Sequence, residues 1–186
     1  MKINTLQDLY IEELRDIYNA EQQLVKALPK VAQAANSDEL RSAIEDHLET
    51  TREQIERLDQ IFENIGSSSK GKKCKAMEGL IEEVNELLEE DIADSVLDAA
   101  LIAACQRVEH YEISVYGTLA TFAKLLGRED DADLLVQTLD EEKEADENLT
   151  DIAESTINVE AKEEGSSEAE EEEEKASSKK SARGSH

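Results

Sequence analysis

Four acidic residues of this chain occupy positions where an amphipathic helix should be apolar. They interrupt the apolar stripes of three predicted helices, at Glu21, Glu112, Glu142 and Asp146. The apolar residues around each of them recur at steps of three and four, so these acidic side chains face the core. A carboxylate in a bundle core is costly unless it is paired, protonated or bound to a metal. Acidic residues that converge from three helices therefore point to a shared cation.

The heights of these side chains along a bundle can be compared by counting from the predicted chain reversals near positions 36 and 129. Glu21 lies about four helical turns before the first reversal, and His47 lies about three helical turns after it. Glu112 precedes the second reversal by almost five helical turns, and Glu142 and Asp146 follow it at nearly the same distance. The mismatches in height amount to about one helical turn or less. We therefore expect the side chains to meet at one level.

Carboxylates together with one imidazole form a ligand set that suits iron or manganese in a helical bundle. Ferritin-like di-metal sites take a Glu from each of two helices and a Glu-x-x-His from each of the other two. Here the residue three after Glu142 is Ala145, so Asp146 would serve in place of the histidine. The predicted first ligands are Glu21, His47, Glu112 and Glu142, and the predicted bridging or alternate carboxylates are Glu109 and Asp146.

The composition predicts an all-α protein, because 186 residues include only one proline and seven glycines. Apolar periodicity and capping residues predict a ferritin-like antiparallel four-helix bundle with a short extra helix in the crossover between the second and third long helices. The predicted helices span about Thr5–Ala35, Asp38–Ile65, Lys75–Glu90 (the crossover helix), Ser95–Leu126 and Glu129–Asn158. The bundle would thus occupy residues 1–158, and residues 159–186 would form an acidic, disordered tail.

The formal net charge of −26 bears on the partners of the protein. Such a surface repels nucleic acid and anionic lipid, and it lacks the basic patch that either of them needs. No apolar run is long enough to span a bilayer, so we expect no contact with a membrane. Cys74 and Cys105 form no spaced disulfide framework. They are interpreted as reduced thiols, which predicts a cytoplasmic protein.

Four short motifs are spread over nearly the whole predicted bundle, at His47–Thr51, Ala76–Glu83, Glu109–Glu112 and Tyr116–Ala120. Together they resemble the YciF family of bacterial and archaeal stress proteins, over about residues 5–158. The resemblance implies a ferritin-like, rubrerythrin-related bundle that is usually dimeric and carries a metal site, with no firmly assigned reaction. Thr50 stands where that family usually has Glu. Because threonine cannot replace a carboxylate ligand, we expect one metal position to be weaker than the other.

Small residues line the back of the third long helix, which is the predicted surface for self-association. Ala99, Ala103 and Gly117 would allow another helix to approach closely, and His110 lies on the same face. His110 is rotated by about 160° from the acidic side chains, so a structural or interfacial role is favoured. A symmetric homodimer is the commonest assembly of this kind.

Two classes of function remain compatible with these features. The first is a di-iron or di-manganese protein that handles peroxide, oxygen or stored metal in stress defence. The second is a non-enzymatic structural or interaction bundle, whose metal-free polar core only specifies packing. A buried glutamate paired with a buried histidine would serve the second class equally well. No nucleophile–base pair, phosphate-binding loop or dinucleotide fingerprint in the sequence supports another chemistry.

Overall fold

Five α-helices make up most of the structure, which is a computed structural model that describes residues 3–164. They span α1 Leu6–Ala34, α2 Asp38–Ile65, α3 Lys75–Leu87, α4 Asp94–Leu125 and α5 Glu129–Ile152. The predicted all-α bundle with a short crossover helix is thereby confirmed. Among residues 3–164, no helix combines the length and the apolar character that are needed to cross a membrane.

Local signals in the sequence set the ends of the first two helices. Thr5 begins α1 with a capping box, in which its hydroxyl accepts a hydrogen bond from the Asp8 amide and the Asp8 carboxylate accepts one from the Thr5 amide. The hydroxyl of Ser37 caps α2 by accepting a hydrogen bond from the Leu40 amide. Gly66 ends α2 in the left-handed conformation, with a φ of 68° that glycine adopts without strain.

Hydrogen bonds at the two ends of the bundle establish its topology. Near the start of α4, the Asp98 carboxylate accepts hydrogen bonds from the backbone N–H groups of Asn36 (2.8 Å) and Ser37 (2.7 Å), between α1 and α2. At the opposite end, Asn64 near the end of α2 donates to Asp131 at the start of α5, at 2.8 Å. Helices α2 and α4 therefore run in the same direction, which requires the long crossover that contains α3.

Helix α3 covers the groove between α1 and α4 from outside the bundle. The side-chain oxygen of Asn19 on α1 accepts a hydrogen bond from the Cys74 amide at 2.8 Å, and Gln23 donates to the Cys74 carbonyl at 3.0 Å. Farther along, Lys30 donates to the side chain of Asn85 at 2.7 Å. Met77 is fully buried and anchors the first turn of α3. The crossover is thus a packed wall of the protein.

The last helix extends beyond the predicted boundary of the bundle. One turn of π-helix, Ala153–Ile157, follows α5, and the backbone stays helical through residue 164. The prediction that the tail begins at residue 159 is therefore wrong, because the helix runs past it. The extension is stabilised because the Glu164 carboxylate accepts hydrogen bonds from the Ser95 amide (3.2 Å) and hydroxyl, at an α4 N-terminus that lacks a side-chain cap of its own. The rest of the predicted tail, residues 165–186, lies outside the described residues.

Part of the small face of α4 is used within the chain. Gln106 on this face donates hydrogen bonds to Asp146 (3.2 Å) and Thr150 (2.9 Å) of α5. A Cβ atom at Gly117 would lie 3.9 Å from the side chain of Leu139, so α4 and α5 approach each other closely there. Self-association through what remains of this face stays a prediction.

The hydrogen bonds of Asp98 give a first test of this topology. Asp98→Ala leaves two backbone N–H groups without their acceptor, and we expect a loss of about 1–3 kcal/mol in the free energy of unfolding. Asp133→Ala removes the same charge from an exposed position of α5 and should change stability by less than about 0.5 kcal/mol. Urea denaturation followed by circular dichroism measures both. Equal effects would contradict the role of Asp98 in joining the two helix pairs.

Candidate metal centre

The middle of the bundle contains a buried polar cluster. His47 on α2, Glu109 and Glu112 on α4 and Glu142 on α5 each offer a ligand atom, and these four atoms lie within 4.8 Å of one another. The three glutamates are at most 3% exposed. Four oxygen and nitrogen donors at such separations could surround one metal ion. We call these four residues the core cluster.

The core cluster leaves several buried polar atoms without a hydrogen bond. The Nε2 atom of His47 lies 3.6 Å from a Glu109 oxygen and 3.9 Å from a Glu142 oxygen. Within residues 3–164, no hydrogen-bond partner is found for His47 Nε2, for one oxygen each of Glu109 and Glu142, or for either oxygen of Glu112. A buried polar atom without a partner costs about 1–3 kcal/mol. All of these atoms are possible metal ligands, so the residues fit a bound cation.

Burial and mutual repulsion raise the pKa values of three central carboxyl groups, those of Glu21, Glu109 and Glu112. The pKa of Glu109 lies well above its ordinary value because the group is buried and because Glu142 is next to it. The pKa of Glu112 is raised in the same way, by burial and by the charge of Glu21. Burial, together with the charge of Glu142, raises the pKa of Glu21 to about 8. Without a cation, therefore, these three carboxyl groups hold their protons more tightly than exposed glutamates do.

Glu21 on α1 borders the core cluster but is not one of its four members. Its side chain is fully buried, and one of its oxygens accepts a hydrogen bond from the hydroxyl of Tyr116, which lies one helical turn after Glu112. Its other oxygen has no partner among the described residues. The charge of Glu21 helps to raise the pKa of Glu112, so the two carboxyl groups are neighbours. The predicted ligand from α1 is thus beside the cluster, with one oxygen free.

Asp146, like Glu21, is a predicted ligand outside the core cluster, and it lies in a different environment. One of its oxygens accepts a hydrogen bond from Gln106 at 3.2 Å, and the other lies 3.2 Å from Nε2 of the exposed His110. Four residues advance a helix by about 400°, so Asp146 is rotated by about 40° from Glu142. That rotation directs Asp146 to the seam between α4 and α5. The expectation that it replaces a metal-binding histidine is corrected accordingly.

Gln54 on α2 is a buried polar residue beside the core cluster that sequence reasoning missed. Its side chain is fully buried, and its amide donates hydrogen bonds to Glu142 and, at 3.3 Å, to Glu141. This donor holds one oxygen of Glu142 and leaves the other oxygen near His47. The spacing could have revealed it, since Gln54 follows His47 by about two helical turns on the same face of α2.

Thr50 lies three residues after His47 and, together with His47 and Glu141, lines a groove between α2 and α5. Its hydroxyl donates to the backbone carbonyl of Asp46 at 3.3 Å. Helix α2 contributes His47 to the core cluster. The expectation that Thr50 leaves one metal position weaker than the other stays a prediction.

The architecture and the buried donors define a class of protein, the ferritin-like four-helix bundles with carboxylates and histidine in the core. Residues 5–162 match the family described as "Domain of unknown function (DUF892)", and the chain belongs to this family. It is 51% identical over 162 residues to Protein YciF of Escherichia coli (strain K12), an alignment that covers 87% of this chain and 98% of the relative.

Solved structures agree with this assignment. The crystal structure of the E. coli stress protein YciF superimposes with a TM-score of 0.81 at 51% identity, over 84% of this chain and 99% of that one. YcfI from Rhodopseudomonas palustris, to which a structural role has been ascribed provisionally, gives 0.78 at 47% identity, over 80% and 95% of the two chains. A protein from Xanthomonas campestris gives 0.71 at 21% identity, over 87% and 99%, and supports the fold alone.

The raised pKa values predict how the stability of the metal-free protein depends on pH. Glu21 binds a proton more tightly when the protein is folded, so its contribution is fully present below pH 4.5 and is lost as the pH rises to about 8. Glu21→Gln should therefore flatten the fall in unfolding free energy over this range. Chemical denaturation at several pH values measures the slope. Glu49→Gln removes a charge from an exposed side chain and should keep the parental slope, and equal slopes for both variants would contradict the assignment.

Proposed function

We propose that the chain is a ferritin-like protein of stress defence that binds iron or manganese in the bundle core. His47, Glu109, Glu112 and Glu142 would hold the first ion. The observation that carries the proposal is the set of buried donor atoms without hydrogen bonds, which all converge on one point. Metal binding removes protons from carboxyl groups, so a cation would replace the protons that the raised pKa values imply.

A second ion of a di-metal site would lie between Glu21 and Glu112. Glu112 has both oxygens free, so it could bridge the two ions, and Glu21 has one free oxygen. This second position lacks an imidazole, and the neighbouring Gln54 is a neutral donor whose amide points to Glu142. We therefore propose unequal sites, with the core cluster occupied first and the Glu21 position filled only at higher metal concentration.

An acidic groove would supply the cation. It is lined by residues of α2 and α5, among them Asp46, Glu141, Glu144 and Asp151, and it reaches the edge of His47. Converging negative charge raises the local concentration of cations at the mouth of such a groove. His47 is 12% exposed and is the member of the core cluster that lines this groove. Metal would thus reach the core beside His47.

Iron or manganese, when bound, supplies the change of oxidation state on which the reduction of peroxide or oxygen depends. The chain's own residues hold the ligands in place. Tyr116 donates to Glu21, and Gln54 donates to Glu142, so each of these carboxylates keeps one oxygen directed inward. Cys74 and Cys105 are free thiols, which supports a reducing cytoplasm as the place where the protein works.

A metal-free structural bundle is the second candidate function. The raised pKa values favour it, because neutral carboxyl groups can stay in a core without a cation. The structural role ascribed provisionally to the Rhodopseudomonas relative points the same way. In this case the core cluster would only specify how the four helices pack.

Metal titration of matched variants separates the two candidates. Glu112→Ala removes two donor oxygens from the core cluster and should weaken the binding of manganese or of anaerobic ferrous iron by more than about 100-fold. Glu49→Ala removes an acid that is 67% exposed and pairs with Arg52, and it should bind like the parent. Calorimetry and metal analysis of chelator-free protein measure both affinity and stoichiometry.

The outcomes have separate meanings. If both variants bind as tightly as the parent, the inward acids are structural and the metal proposal is wrong. If only Glu112→Ala loses metal but the loaded parent consumes neither peroxide nor oxygen, the protein binds metal without the proposed redox chemistry.

A further inference from the structure

A largely apolar cavity opens beside the core cluster, between α1, α3 and α4. Its volume is about 320 Å³, within the range of small-molecule sites in proteins. Aliphatic side chains from all three helices form the walls, among them Ala27, Val31, Ile81, Leu88, Ala104 and Val108. Along α1 the cavity extends over roughly two helical turns, or about 12 Å. We call this cavity the channel.

The inner end of this channel is polar. His47 and Glu109 are its residues from the core cluster. Glu109 is 3% exposed, and its Oε2 atom has no hydrogen-bond partner within residues 3–164. A buried carboxyl group at the inner end disfavours a second carboxylate there.

The outer end of the channel carries positive charge. Lys26 and Lys30 lie one helical turn apart on α1, and both are exposed at the mouth. Lys30 is oriented by its hydrogen bond to Asn85 of α3. Apart from Glu109 at the inner end, none of the described residues that line the channel is acidic. In a chain with a net charge of −26, this mouth is a local exception that favours an anion.

We propose that the channel binds a medium-chain carboxylate, with its head between Lys26 and Lys30 and its aliphatic chain directed toward Glu109. The opposite orientation would place the carboxylate against the buried acids, which repel it. An alkylammonium ion would have to pass the two lysines and lose its water of hydration at the inner end. A neutral alcohol would pack against the apolar walls but would form no ion pair with either lysine. The two lysines and the aliphatic walls lie outside the core cluster, so the site does not require a bound metal.

Calorimetric titration with decanoate, below its micelle-forming concentration, tests the proposal on the full-length, metal-free protein. The double variant Lys26→Gln/Lys30→Gln should weaken decanoate binding roughly tenfold, as expected for two partly exposed ion pairs. The matched control Lys124→Gln/Lys143→Gln removes the same charge from exposed positions of α4 and α5 and should bind like the parent. Decanol and decylamine should bind more weakly than decanoate.

Ala27→Leu, which places a larger side chain in the channel, tests its interior. This variant should lose decanoate binding while its circular dichroism spectrum and its manganese binding stay parental, which separates the channel from the metal proposal. Three results would overturn the proposal: no decanoate binding by the parent at millimolar concentration, tighter binding of decylamine, or equal weakening by both lysine pairs. A dimeric parent that binds no decanoate would also contradict the proposal if Ala27→Leu converts it to monomers. In that case a second copy of the chain fills the channel.

Discussion

The structure depends on the burial of ionisable groups in the centre of an otherwise apolar bundle. Glu21, Glu109, Glu112 and Glu142 are at most 3% exposed, and His47 is nearly buried beside them. Several of these groups cannot be charged together without a cation, because each carboxylate repels the others in a medium that screens charge poorly. Protons or a metal must therefore neutralise the centre, and the state of the core is coupled to pH and to metal concentration.

The helix arrangement fixes which donors can meet in this centre. At one end of the bundle, the Asp98 carboxylate joins α4 to the turn between α1 and α2. At the other end, the Asp131 carboxylate joins α5 to the end of α2. These two contacts require α2 and α4 to run in the same direction. The long crossover follows from this order and places α3 against α1 and α4. The same helix closes one wall of the apolar channel that ends at Glu109. The order of the helices thus determines both which side chains meet in the core and which helix lies beside the channel.

Two entrances of opposite character lead toward His47. The groove between α2 and α5 is acidic and suits a cation, whereas the channel between α1, α3 and α4 is aliphatic with two lysines at its mouth. The acidic groove matches the net charge of −26, whereas the two lysines at the mouth of the channel are an exception to it. Because His47 contacts both, its imidazole separates two environments with different ligand preferences.

The sequence by itself determined the helices and the level of the buried acids. Apolar steps of three and four mark each helix face, and a fixed rise per residue places Glu21, His47, Glu112 and Glu142 at one height. Only the tertiary structure decided which polar side chains enter the centre. Asp146 meets Gln106 of α4 and Gln54 meets Glu142 of α5, and these partners depend on contacts between helices that are distant in the sequence.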